Sequence, residues 1–337
     1  MSNNAVTAKA RAIHGSMLTK DDYAVLMHKG TIPAAVAYLK TKPLYSAVFA
    51  DTDEAAVHRA QVEALINKSV YDNYLRVCRF AAGDKKGIMS FYTRRLECEQ
   101  LTKAVIAITS GQQEGFIAAF PEYIAEALSF DHMKLASAGT LEAAAEVLKG
   151  TIYYKPLVKL MTAAEPDVNR ILTTINVCCI KWAFEQIDGS AKGKQREMLK
   201  DFFLRKADAD NLLICLRMKT FGLDNDRINE LLIPYHKRLR KSDIDSALKR
   251  SNAVEILRGM LIREKSAGSE SSDIPEISVN IADYRFFRHR LAVSTDGTES
   301  LYALVMLLDA ESVNLCRIIE GLRYGLAPES IEKYLII

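Results

Sequence analysis

From Phe203 to Phe221 no proline or glycine interrupts the chain, and Leu212-Leu213-Ile214-Cys215-Leu216 is apolar on every side of a helical wheel. That pattern predicts a helix buried around most of its girth rather than one wetted along a face. Gly222 should end it, because glycine accepts the left-handed conformation that closes a last helical turn. Asp224 or Asn225 is then placed to cap a short second helix whose inward positions are Ile228, Leu231 and Leu232. The same hydrophobic and polar order returns at the end of the chain, where Gly325 stops a long helix and Pro328 suits a first turn. There Ile331, Tyr334 and Leu335 are expected to form the buried stripe.

The two stretches align without a gap. Glu311 stands for Asp208, Asn314 for Asn211, Leu315 for Leu212 and Gly325 for Gly222, all at an offset of 103. A fainter third copy holds Glu97, Gln100, Leu101 and Gly111, at an offset of 111 from the middle one. Acid and amide are three residues apart, so they share one helix face. Since an amide both donates and accepts, its expected task is to fix a neighbouring backbone loop; the alternative is a solvated acid beside a satisfied amide, which recurrence in three copies disfavours. A front half recurs as well. Thr19 can cap a helix with Tyr23, Leu26 and Met27 inward, Gly30 stops it, and a second helix ends near Leu39-Lys40-Thr41. Around 130 to 154, Gly139-Thr140 and Leu148-Lys149 repeat Gly30-Thr31 and Leu39-Lys40 at an offset of 109, with a weaker echo at Ile256-Leu257-Arg258-Gly259. Strand-like alternation is scarce. The expectation is an all-α fold of three similar helical domains, at 1–115, 116–235 and 236–337.

Two stretches read as loops. The segment 267–276 is rich in serine and ends in proline; 188–197, DGSAKGKQRE, holds two glycines. The latter imitates a phosphate loop, but its spacing is one residue short and Gln195 stands where the magnesium-binding hydroxyl belongs. No strand precedes it. Elsewhere chemistry is thin. His14, His28, His58, His132, His236 and His289 are far apart, and no nucleophile, zinc or dinucleotide signature occurs, so no catalytic, cofactor-binding or metal residue is assigned. The basic runs at 236–241 and 285–290 could face phosphates, with Phe286 and Phe287 as stacking rings; the preferred reading is solvated helix faces with the aromatics turned inward.

Composition narrows the classes. A chain of 337 residues, 49% apolar, can bury a large core. With 45 basic against 42 acidic residues, a net +3 makes no electrostatic case for nucleic acid. Cysteines 78, 98, 178, 179, 215 and 316 lie mostly among apolar neighbours without paired spacing, as reduced core residues do. No apolar run is long enough to span a bilayer and the first residues lack a signal core, so a cytosolic protein is expected.

The opening ARAIHGSMLTKDDYAVLM, the helices bearing an acid and an amide three apart and ending in glycine, and the closing EGLRYGLAPESIEKYLII together resemble the C-type subunit of the A-type and V-type rotary ATPases, whose vacuolar counterpart is the d-type subunit. The resemblance covers nearly the whole chain. It departs at Gln100, where asparagine is expected, and in the serine-rich insert at 267–276. It implies a non-catalytic rotor part, without cofactor, monomeric within its complex. Its three domains would form a funnel about a pseudo-threefold axis, peripheral on the cytosolic face of the membrane. Its partners would be the membrane proteolipid (c/K) ring and the D- and F-type central-stalk subunits. A free-standing helical scaffold for a soluble partner is the alternative, although such arrays normally use repeats of roughly 20 to 50 residues and are open-ended. An enzyme would need a pair of titratable groups brought together by the fold.

Overall fold

The computed structural model describes residues 3–81, 87–250 and 274–337. It is 72% helix, with no strand among the described residues. Contacts divide the chain into two compact units, one of residues 1–85 with 261–337 and the other of residues 86–260.

The first unit begins with α1 (Asn3–His14), α2 (Lys20–Met27), α3 (Ile32–Lys40) and α4 (Arg59–Cys78). Thr19 starts α2 with a full capping box, its hydroxyl accepting from the Asp22 N–H while the Asp22 carboxylate accepts from the Thr19 N–H. Tyr23, Leu26 and Met27 face inward as their spacing predicts. Thr31 caps α3 through the Ala34 N–H.

The second unit carries α5 (Phe91–Ser110), α6 (Gln113–Ala118), α7 (His132–Ala136), α8 (Leu141–Val147), α9 (Tyr154–Met161), α10 (Val168–Ser190), α11 (Gly193–Thr220), α12 (Asn225–Leu231) and α13 (Lys241–Arg250). Thr140 caps α8 through the Ala143 N–H, repeating the geometry of Thr31 with φ of −140° against −139°. Leu39 and Leu148, matched in the sequence, are both fully buried. Helix α5 packs on α10, and α10 on α9 and α11.

The first unit is completed by α14 (Pro275–Val293), α15 (Gly297–Arg323) and α16 (Pro328–Glu332). Helix α15 is its axis, packed against α1, α4 and α14, with Leu301, Leu304, Leu308, Leu315 and Ile318 buried. A helix enclosed on several sides has little room for a polar face, which matches the all-round apolar pattern of its sequence. Gly321 lets α16 dock on it. A Cβ there would lie 2.5 Å from Cγ1 of the buried Ile331. Gly321→Ala is therefore expected to destabilise the protein by about 1–3 kcal/mol through overpacking. A thermal melt coincident with the parent's would show that α16 shifts freely.

Two expectations need correction. Tyr334 is 47% exposed, so the stripe of the last short helix is Ile331 with Leu335 and not Tyr334; the chain leaves the helix after Glu332, before Tyr334 can complete a turn. The segment 188–197 is not a loop. Asp188, Gly189 and Ser190 finish α10, and α11 begins at Gly193, with φ of 53°, after two connecting residues. The 285–290 aromatics turn inward, as the preferred reading expects: Phe287 is buried against Tyr302, ring centroids 5.6 Å apart, and Phe286 packs edge-on to Phe287. The echo at Ile256–Gly259 and residues 267–273 of the serine-rich segment lie outside the described residues. The boundaries at 115 and 235 both fall inside the second unit.

Candidate functional site

The repeated motif occupies the middle of α5, α11 and α15. Glu97, Asp208 and Glu311 are each 1% exposed, and Gln100, Asn211 and Asn314 are buried beside them. A buried carboxylate is costly unless its oxygens are bonded, so their partners define the role of the motif.

All three acids hold backbone. Glu97 Oε2 accepts from the Ser129 N–H at 2.6 Å. Asp208 accepts from the N–H groups of Lys237 and Arg238, at 3.2 and 2.9 Å. Glu311 Oε2 accepts from the Leu18 N–H at 2.7 Å, while its Oε1 takes a bond from the Tyr45 hydroxyl at 2.7 Å. Ser129, Arg238 and Leu18 each lie two or three residues ahead of a short helix, α7, α13 and α2 respectively. Each acid thus fixes the start of a front half, and always that of the next repeat. The acid of the last repeat holds the front of the first.

The amides do a second job. Asn211 closes a two-way clasp on one residue, donating to the Ile233 carbonyl at 2.9 Å and accepting from the Ile233 N–H at 2.8 Å. Asn314 makes the same pair with Ile336, at 2.9 and 2.7 Å. In both copies the partner lies 22 residues on, so the amide folds the hairpin back onto its long helix. The glycines supply the turn. Gly111, Gly222 and Gly325 have φ of 68°, 77° and 63°, and the next N–H bonds back to the carbonyls of Ala107, Met218 and Gly321. A side chain at that φ would be strained. Leu101, Leu212 and Leu315, next to each amide, are fully buried.

Further participants lie outside the repeated motif as read from the sequence. Arg94, three residues before Glu97, bonds its carboxylate and lies over Trp182, 5.2 Å from the ring centroid. Arg205, buried three residues before Asp208, stands at the same offset of 111 that relates the two acids, and that match was the available signal. In the third copy Leu308 takes the place. Glu311 has no arginine there, and burial pushes its carboxyl up to about 7, against the bonds from Tyr45 and Leu18. Burial likewise raises Asp208, opposed by its backbone bonds. Tyr45 and Tyr153, both fully buried, are the other additions; the Tyr153 hydroxyl sits 3.2 Å from Cys98 Sγ. The basic run at 236–241 belongs to the latch, with Lys237 paired to Asp201.

With their oxygens taken up by backbone amides, a guanidinium and a phenol, these carboxyls are suited to holding chain segments together. A family model described as the ATP synthase (C/AC39) subunit matches residues 6–334. The chain belongs to that family. C/AC39 chains are components of the V/A-ATPase, homologues of its d-type subunit, and the family is non-catalytic. No curated protein matches the chain. No helix among the described residues of this C/AC39 protein is long and apolar enough to cross a membrane.

Proposed function

We propose that this protein is the socket of a rotary motor, joining the central stalk to the membrane proteolipid ring so that torque passes through it. Three helical domains, with sequence limits near 115 and 235, would surround a pseudo-threefold axis as a funnel, one end on the cytosolic side of the ring and the bore around the D- and F-type stalk subunits. The observation that carries this reading is the order of the latches. Glu97, Asp208 and Glu311 each tie a long helix to the front of the following repeat, and the last returns to the first at Leu18. An open-ended scaffold has a terminal repeat with nothing to hold. A circular order leaves none, and a part twisted from every angle needs that.

The coupling role is tested in membranes reconstituted with and without the protein. Omitting it should leave ATP hydrolysis by the detached head intact while ion pumping falls to background. Pumping at full rate without it would exclude the role.

A further inference from the structure

The first unit contains a cavity of about 820 Å³ between the end of α1, the start of α2 and the outer part of α14. Arg11, His14, Lys20, Arg285, Arg288 and His289 line it, and no Asp or Glu does among the described residues. This gathers half of the basic run 285–290, read from sequence as a plain solvated face, opposite three basic residues from the start of the chain.

Elsewhere in the unit acids meet cations. Asp22 pairs with Lys42 at 2.6 Å, and Glu299 with Arg290. Glu311, behind the cavity wall, is occupied by Leu18 and Tyr45. Within the wall Arg11 is spent on structure, donating to the carbonyls of Leu291, Ala292 and Ser294 at 2.8–3.0 Å. Those bonds also cover the carbonyl end of α14, which would otherwise repel an anion. The crowding of like charges is felt at His14, whose pKa is lowered by burial and then by Arg288. Lys20, Arg288 and His289 stand exposed at the mouth, while Tyr284 is half-buried in the wall.

From this convergence we propose that the cavity binds a multiply phosphorylated small molecule, its phosphates on Lys20, Arg288 and His289 and its carbon framework against Tyr284. The volume lies in the range of small-ligand pockets and exceeds what one inorganic phosphate fills. Several cations with no Asp or Glu side chain among them favour several negative charges on one compact ligand.

The test is calorimetric titration of the full-length chain with inositol hexakisphosphate and with tripolyphosphate at low salt. A flotation arm uses phosphatidylcholine vesicles containing a phosphatidylinositol bisphosphate. Lys20→Gln with Arg288→Gln, both on exposed side chains, should weaken binding of the soluble probes by about tenfold or more. The control is Lys103→Gln with Lys155→Gln, which removes the same charge from exposed sites in the other unit and should leave binding unchanged. Soluble binding without flotation assigns a free polyphosphate. Flotation abolished by the double variant assigns a lipid headgroup. Absence of binding to every probe, or equal weakening in both double variants, would overturn the proposal.

Discussion

Leu315→Ala and Leu212→Ala are each expected to lower stability by about 2–5 kcal/mol, in the range measured for buried leucines that leave a cavity behind. Leu315 is 0% exposed and Leu212 1%. Both stand one residue beyond the amide that clasps the returning hairpin, so the void would open beside a fixed backbone pair, where neighbours have little freedom to collapse inward. The upper part of the range is therefore expected. Leu326, at the turn after Gly325 and 46% exposed, is the control: Leu326→Ala should stay within about 0.5 kcal/mol. Urea midpoints read all three. Unchanged midpoints at Leu212 and Leu315 would mean that the shared register of α11 and α15 is wrong.

That register was legible because the two best copies align without an insertion, so glycine, leucine and amide could be matched position by position. The local consequences followed from residue type: a glycine with positive φ, a threonine at a helix start, a leucine facing inward. The object each acid holds was not legible. It is a backbone N–H, which leaves no mark in the sequence, and it lies 32, 30 and 293 residues away for Glu97, Asp208 and Glu311. The last separation hides the most, since it joins the final repeat to the first. Repeats cut at 115 and 235 keep each front with its own back, whereas the bonds run from each back to the following front. Grouping by contacts instead puts residues 1–85 with 261–337. Arg94 and Arg205 obey the same offset as the acids they precede and were within reach of the sequence. Tyr45 and Tyr153 are separated by 108 rather than the 109 of their surroundings, so alignment passes them by.

Glu311→Gln is expected to flatten the pH dependence of stability between about pH 4.5 and 8 relative to the parent. Burial drives the Glu311 carboxyl from an ordinary 4.5 up to about 7 in the folded protein, a rise that its bonds to Tyr45 and Leu18 only limit. The folded state then holds a proton that the unfolded chain has already released. Stability from this group is fully present below about pH 4.5 and is lost as pH rises through about 7, by an amount on the order of 3 kcal/mol. Glutamine keeps the shape and stays neutral. Its oxygen can accept from the Leu18 N–H while its amide donates to the Tyr45 hydroxyl oxygen, so each contact keeps a hydrogen bond with Tyr45 turned from donor to acceptor. The reading is the difference between parent and variant urea midpoints at pH 5 and pH 8, which cancels histidines common to both. The parent should lose ground to the variant at the higher pH. A constant difference would mean that Glu311 is already ionised at pH 5. Glu97 has Arg94 bonded to its carboxylate, whereas Glu311 has Leu308 at that position, so loss of the Glu311 proton weakens the latch that joins the last repeat to the first.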